Sequence, residues 1–195
     1  MCGYLHATGL LERVNRLKNW CRYTNCGRSF LEKQRSAVDF SLRSPERSMI
    51  PTLKPKVSIG VCVRNSATTL TEAIESIVNQ DFQHERMEVI FVDDGSEDET
   101  LRVIRQYSSS IDSRVKIMHT AWSGLGHARN LVLSNALGEY IVWVDGDMIL
   151  SKDFVRQLVD YMQHNPAVGV AKGKQSLQHG GNLLATLEIY SRAAG

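Results

Sequence analysis

The chain has 195 residues, 43% of them hydrophobic, 23% charged and 7% aromatic, which suffices for one domain with an appendage around a sizeable core. Lys plus Arg number 23 against 21 Asp plus Glu, and that near-balance argues against a polyanion binder held by bulk charge; no nucleic-acid partner is expected. There is no uncharged apolar run long enough to span a bilayer, no secretory pattern in the first residues, and only four Cys, so the expectation is a reducing, cytoplasmic compartment.

Residues 1–56 carry 11 Lys/Arg against 4 Asp/Glu, whereas residues 57–195 carry 12 against 17. Pro45, Pro51 and Pro55 close the first segment, as in a linker, so a boundary is expected near Lys56. Residues 1–56 then form a basic, partly helical extension, and residues 57–195 the domain. Leu10, Leu11, Val14 and Leu17 recur at steps of three and four and predict a helix. Cys2, His6, Cys21 and Cys26 lack the tight spacing of a zinc knuckle.

From Val57 the pattern changes to strands alternating with helices. Val57 to Val63 is a near-continuous β-branched run, as in a strand buried on both faces. Leu70, Ala73, Ile74, Ile77 and Val78 predict a helix, with Thr69 and Glu72 as its capping box. Glu88 to Val92 is the second strand, and Ser96 with Glu99 marks the next helix start, ahead of Leu101 and Ile104. Val115 to His119 is a weaker third strand. Gly124-Leu125-Gly126 opens a helix with Ala128, Leu131, Val132 and Ala136 inward, and its backbone N–H groups suit a phosphate. Tyr140 to Val144 is the fourth strand. A helix capped by Ser151 and stopped at Asn165-Pro166 follows, then a short strand in Val168 to Gly173 and a helix start in Leu183 to Tyr190.

This alternation gives an α/β fold, a mostly parallel sheet flanked by helices, with ligands bound beyond the carboxyl ends of the strands. Those ends carry Arg64 and Asn65 after the first strand, Asp93 and Asp94 after the second, and Asp145 and Asp147 after the fourth. Four carboxylates on one rim repel each other unless a cation or donors intervene. Asp93 reads as a turn residue beside Gly95-Ser96, Asp94 as a functional one. Asp145-Gly146-Asp147 suits Mg²⁺ or Mn²⁺, which takes one or two carboxylates and fills its shell with phosphate oxygens and water. No G-x-x-x-x-G-K-[ST] loop is present, which weakens an ATPase reading. A nucleotidyltransferase would want a Gly-rich loop after the first strand, and a phosphotransfer receiver a lone Asp with a later Lys.

Four consecutive blocks, "VSIGVCVRNSATTLTEAIESIVNQDF", "EVIFVDDGSEDET", "GLGHARNLVLSNALGEYIVWVDGDMIL" and "SKDFVRQLV", resemble family 2 glycosyltransferases of the GT-A fold. The resemblance covers residues 57 to 175. It implies a UDP- or GDP-sugar donor, a divalent Mn²⁺ or Mg²⁺, and transfer of the sugar to an acceptor hydroxyl with inversion. The acceptors of the family are lipids, polysaccharides or proteins. By the same resemblance Cys62, Val63, Arg64 and Asn65 line the nucleotide pocket, Asp94 contacts the base and Arg129 lies near the diphosphate. Asp147 would ligate the metal, and Asp145 the ribose or metal. The family pattern has an aromatic where Arg64 stands. No later acidic block is visible before Gly195, so the general base is expected beyond it. On that reading the sequence is the N-terminal portion of a larger enzyme, binding a metal–nucleotide while transferring sugar poorly. Membrane association, at the cytoplasmic face, would come only from further sequence. A non-catalytic nucleotide-sugar binding module is the alternative.

Overall fold

The computed structural model describes residues 10–13 and 54–173. The linker prolines 45 and 51, the Cys2–His6–Cys21–Cys26 set, Val14 and Leu17, and the helix expected in Leu183 to Tyr190 lie outside them. In chain order the elements are β1 (Leu10–Arg13), β2 (Val57–Val63), α1 (Leu70–Val78), a 3₁₀ turn (His84–Arg86), β3 (Met87–Asp94), α2 (Thr100–Ser108), β4 (Arg114–Thr120), α3 (Leu125–Asn135), β5 (Tyr140–Val144), α4 (Phe154–His164) and β6 (Val170–Lys172).

They form one six-stranded sheet in the order β4-β3-β2-β5-β1-β6. The β4-β3-β2-β5 portion is parallel, as the alternation requires. Every residue of β2, β3 and β5 is buried, which is why these strands are mostly apolar on both faces rather than alternating. β4 is the outer strand and is half-exposed along most of its length, which explains its weaker apolar signature.

The helix expected around Leu10 is not formed: Leu10–Arg13 is a strand. It runs antiparallel to β5 on one side, Leu10 opposite Trp143, and to β6 on the other, Leu10 opposite Lys172. The backbone groups along the free side of β5 need partners, and that demand outweighs a short helical periodicity.

Successive residues of a strand face opposite sides of the sheet. Val57, Ile59, Val61 and Val63 of β2, with Val89 and Phe91 of β3, pack under α1, α2 and α4, against Leu70, Ile74, Ile104 and Val159 among others. Cys62, Ile90, Val92, Met118 and Trp143 pack under α3, against Ala128, Leu131 and Val132. The three expected side-chain caps do not form. The Thr69 hydroxyl turns back to the Ser66 carbonyl, and Ser96 is taken up by Asp93. At the start of α4 the cap comes from another element. Gln80, buried at the end of α1, accepts from the Val155 N–H at 3.0 Å and donates to the Ser151 carbonyl.

Candidate functional site at the carboxyl ends of the parallel strands

The register decides which residues meet. Val61 lies opposite Val144, so the chain leaving β5 at Asp145 stands level with Cys62. Val63 lies opposite Asp93, which brings Asp94 level with Arg64. Strand alternation then sends Cys62, Asp94 and Asp145 to the α3 face, and Val63 and Asp93 to the other.

Cys62 reports the resulting field. Burial pushes its thiol up to about 12, Arg129 opposes the rise, and Asp145 and Asp94 add to it. One buried sulfur thus senses acids from β3 and β5 and a cation from α3. Asp145 is also held above the usual carboxylate range, first by burial, then by Asp147, with Arg129 pulling the other way. The Arg129 guanidinium lies 5.5 Å from the centre of the Trp143 ring. Cys62, Asp94, Arg129, Asp145 and Asp147 are therefore one electrostatic group, as the rim of a parallel sheet predicts.

Gly146 makes the acidic turn fit. A Cβ there would lie 2.8 Å from Val63 Cγ1 and 3.1 Å from Ser66 Cβ, so the turn rests directly on the end of β2. Two acids flanking a residue that must be Gly are thereby held against one wall. Neither Asp145 nor Asp147 accepts a side-chain hydrogen bond among the described residues.

The other two rim acids are bound up with the chain's own groups. Asp93 is fully buried on the far face, where it accepts from the Ser96 N–H at 3.2 Å and from its hydroxyl, and lies 2.8 Å from His119 Nδ1. It is the turn residue expected, and it leaves the four-acid rim with three. Asp94 anchors a loop. Its Oδ1 accepts from the Ser123 N–H at 2.8 Å and its Oδ2 from the Gly124 N–H at 2.7 Å, with the Thr120 hydroxyl at 3.4 Å. The Gly124 N–H expected to face a phosphate is therefore used by Asp94.

The loop after β2 is stitched to the loop after β3. The Asn65 N–H donates to Ser96 Oγ at 3.0 Å, the Ser66 N–H to Thr100 Oγ1 at 2.8 Å and the Ala67 N–H to Asp98 Oδ2 at 3.2 Å; Asn65 Oδ1 accepts from the Glu97 N–H. Asn65 adopts φ 51°, a left-handed conformation that Asn tolerates better than most residues. Partial desolvation pushes Asp98 up, but hydrogen bonds from the Thr100 hydroxyl and N–H and from the Ala67 N–H outweigh it, so Asp98 sits below the ordinary carboxylate value. Arg64 leans over the Trp122 ring, 4.8 Å from its centre. Trp122 carried no role in the sequence; an aromatic in a polar loop just past a strand was the available signal.

Among the described residues, no group of three or more His, Cys, Asp and Glu forms a self-sufficient metal cage. The donor chemistry that remains is two hard carboxylates, which fits a divalent cation that borrows the rest of its shell from phosphate.

The profile of glycosyl transferase family 2 matches residues 58–182. The chain belongs to this family. Among curated relatives, the poly(ribitol-phosphate) beta-N-acetylglucosaminyltransferase TarS of Staphylococcus aureus is 32% identical over 120 residues, 61% of this chain and 21% of its own length. The poly(ribitol-phosphate) beta-glucosyltransferase of Bacillus spizizenii is 34% identical over 122 residues, 60% of this chain and 19% of its own. The chain thus spans about a fifth of these relatives. Among solved structures, S. aureus TarS 1-349 in complex with UDP superposes with a TM-score of 0.52 at 32% identity, covering 57% of this chain and 33% of that one. The mannosyltransferase PcManGT from Pyrobaculum calidifontis, in complex with GDP-Man and Mn²⁺, gives 0.52 at 25% identity, covering 63% and 36%. The GT-A architecture expected for the family 2 domain is the one observed. None of its described helices is long and apolar enough to cross a membrane.

Proposed function

We propose that this domain binds a nucleotide-diphosphate sugar, through a divalent cation, for transfer of the sugar to an acceptor hydroxyl with inversion. The observation that carries the reading is the convergence of Asp94, Asp145 and Arg129 around Cys62, with Asp147 beside Asp145, at the carboxyl ends of β2, β3 and β5. The family domain is taken to begin at residue 57, with residues 1–56 a basic extension that lends the sheet one strand.

Asp147 and Asp145 would hold Mn²⁺ or Mg²⁺. The cation supplies Lewis-acid stabilisation of the charge that grows on the departing diphosphate. Burial of Asp145 beside Asp147 makes two negative charges costly there, and that cost is the electrostatic incentive to bind a cation. Arg129 offsets part of the charge and is placed to meet diphosphate oxygens. Cys62, kept a neutral thiol, and Val63, buried against Gly146, shape the floor without adding charge. Arg64, Asn65 and the loop fixed by Asp94 line the nucleoside side. In the transfer, the acceptor oxygen bonds to the anomeric carbon as the bond from that carbon to the phosphate oxygen breaks. The hydroxyl proton passes to a carboxylate base outside the described residues, and the leaving group departs as the nucleoside diphosphate.

The test is a titration with UDP- and GDP-sugars, with and without Mn²⁺, on wild type and Asp147→Asn. Wild type should bind one donor in a Mn²⁺-dependent way. The variant should lose at least about 10–100-fold in affinity, the loss that follows even from removing an outer partner of a bound metal. Equal Mn²⁺-dependent binding by both proteins would remove Asp147 from the metal site.

A further inference from the structure

Trp122 is the most exposed large hydrophobic side chain among the described residues, at 68%. A single exposed aromatic needs no special explanation, but this one is fixed from three strand ends. It stands two residues past the end of β4. Its neighbour Ser123 donates its N–H to Asp94 at the end of β3. Gly95, at φ +69°, lets the turn after β3 lie against it: a Cβ on Gly95 would approach the Trp122 backbone N to 2.5 Å. From the end of β2, Arg64 covers one face of the indole at 4.8 Å. Arg64 is itself restrained, its Nε donating to the Gly95 carbonyl at 3.4 Å and its Nη2 lying 3.3 Å from Glu97 Oε1. A rigid ring is thus presented to solvent on the rim that also carries Asp145 and Asp147.

Its placement matches one kind of ligand. β4 and β5 are three strand spacings apart in the sheet, about 14 Å. A nucleoside diphosphate laid along the rim, its diphosphate at Asp145 and Asp147, reaches the β4 side with its planar base. We propose that Trp122 is the base-stacking residue of the donor site, holding the heterocycle on the indole face that Arg64 leaves open. The inference rests on the donor-site reading above and adds to it the residue that grips the base. Stacking of this kind is tolerant of base identity, because every base presents a π-face.

The experiment compares wild type, Trp122→Ala and Trp122→Phe, each titrated with UDP, GDP and inorganic pyrophosphate in the presence of Mn²⁺. Trp122→Ala should bind the nucleotide that wild type accepts about ten-fold or more weakly, whereas Trp122→Phe keeps most of the affinity. Pyrophosphate, which has no base, should bind all three alike. Nucleotide binding by Trp122→Ala equal to wild type overturns the stacking role and leaves the donor site standing. An equal loss for nucleotide and pyrophosphate also overturns it, since Trp122 would then only prop the loop. Failure of wild type to bind either nucleotide removes the donor reading, and the stacking role with it.

Discussion

The two ends of the parallel strands both bury carboxylates, and they treat them in opposite ways. At the amino ends, Glu88 is fully buried beside Ser58. Its Oε1 accepts from the Ser58 hydroxyl at 2.5 Å and from the Leu137 N–H at 2.6 Å, and the Gly138 N–H donates to Ser58 Oγ at 2.9 Å. Lys116 Nζ lies 3.7 Å from Glu88 Oε2 and donates to the Asn135 carbonyl. The chain itself supplies Oε1 with donors and Oε2, which accepts no hydrogen bond, with a counter-charge. At the carboxyl ends, Asp145 and Asp147 stand beside each other with Arg129 as partial compensation and no side-chain hydrogen bond among the described residues. A buried carboxylate that its own fold supplies with donors and a lysine counter-charge is structural; carboxylates without such donors, on the rim where a parallel sheet binds its ligands, are placed for something that arrives.

The contrast can be broken at either end. The largest expected effect is at the amino end. Glu88→Ala strands the Ser58 hydroxyl and the Leu137 N–H in a buried site and should cost about 2–4 kcal/mol in denaturant unfolding. Mn²⁺-dependent nucleotide affinity of the remaining folded protein should be unchanged, and a parallel loss of affinity would mean that the two ends are not independent. Next in size is the seam between the loops after β2 and β3. Asp98→Ala removes acceptors for Thr100 and Ala67 and should cost about 1 kcal/mol at neutral pH, the usual worth of such a helix-start acceptor. Because Asp98 sits below its ordinary value in the folded chain, its stabilisation is present at neutral pH and fades as pH falls through that lowered value; the wild type–variant difference in Tm should shrink in acid.

The smallest effect has the opposite sign. Asp145 is held above its ordinary value, so ionisation is easier in the unfolded chain, and above the carboxylate range its charge opposes folding. In acid both states are protonated and Asp145 costs nothing. Asp145→Asn should therefore raise Tm at pH 7 by a few degrees at most, since about 1 kcal/mol moves a chain of this size by about 2–4 °C. The gain should vanish toward about pH 3, where both states are protonated. A variant less stable than wild type at pH 7 would place Asp145 among the structural carboxylates.

The parallel core was legible in the sequence because burial on both faces leaves a near-continuous apolar run, as in Val57 to Val63 and Tyr140 to Val144. The rim was legible through strand order, which placed Asp94, Asp145 and Asp147 at the carboxyl ends of parallel strands without any knowledge of side-chain contacts; Cys62 entered only through the family resemblance. What stayed hidden depends on pairings across the chain. The role of Asp94 in holding the loop after β4 was hidden, because its oxygens reach Ser123 and Gly124, far along the sequence. The cap of α4 comes from Gln80 rather than Ser151, and local spacing carries no trace of it. Trp122 gains meaning only from Arg64 and Gly95. The strand at Leu10–Arg13 was misread because four residues are too few for periodicity to separate helix from strand.

That strand also sets a timetable for the nascent polypeptide. Leu10 leaves the ribosome long before Trp143 and Lys172, the residues it will sit between, so the first of the described strands has to wait for two that are made far later. Contacts so distant along the chain form slowly, and β1 can close between its two neighbours only after both have been made.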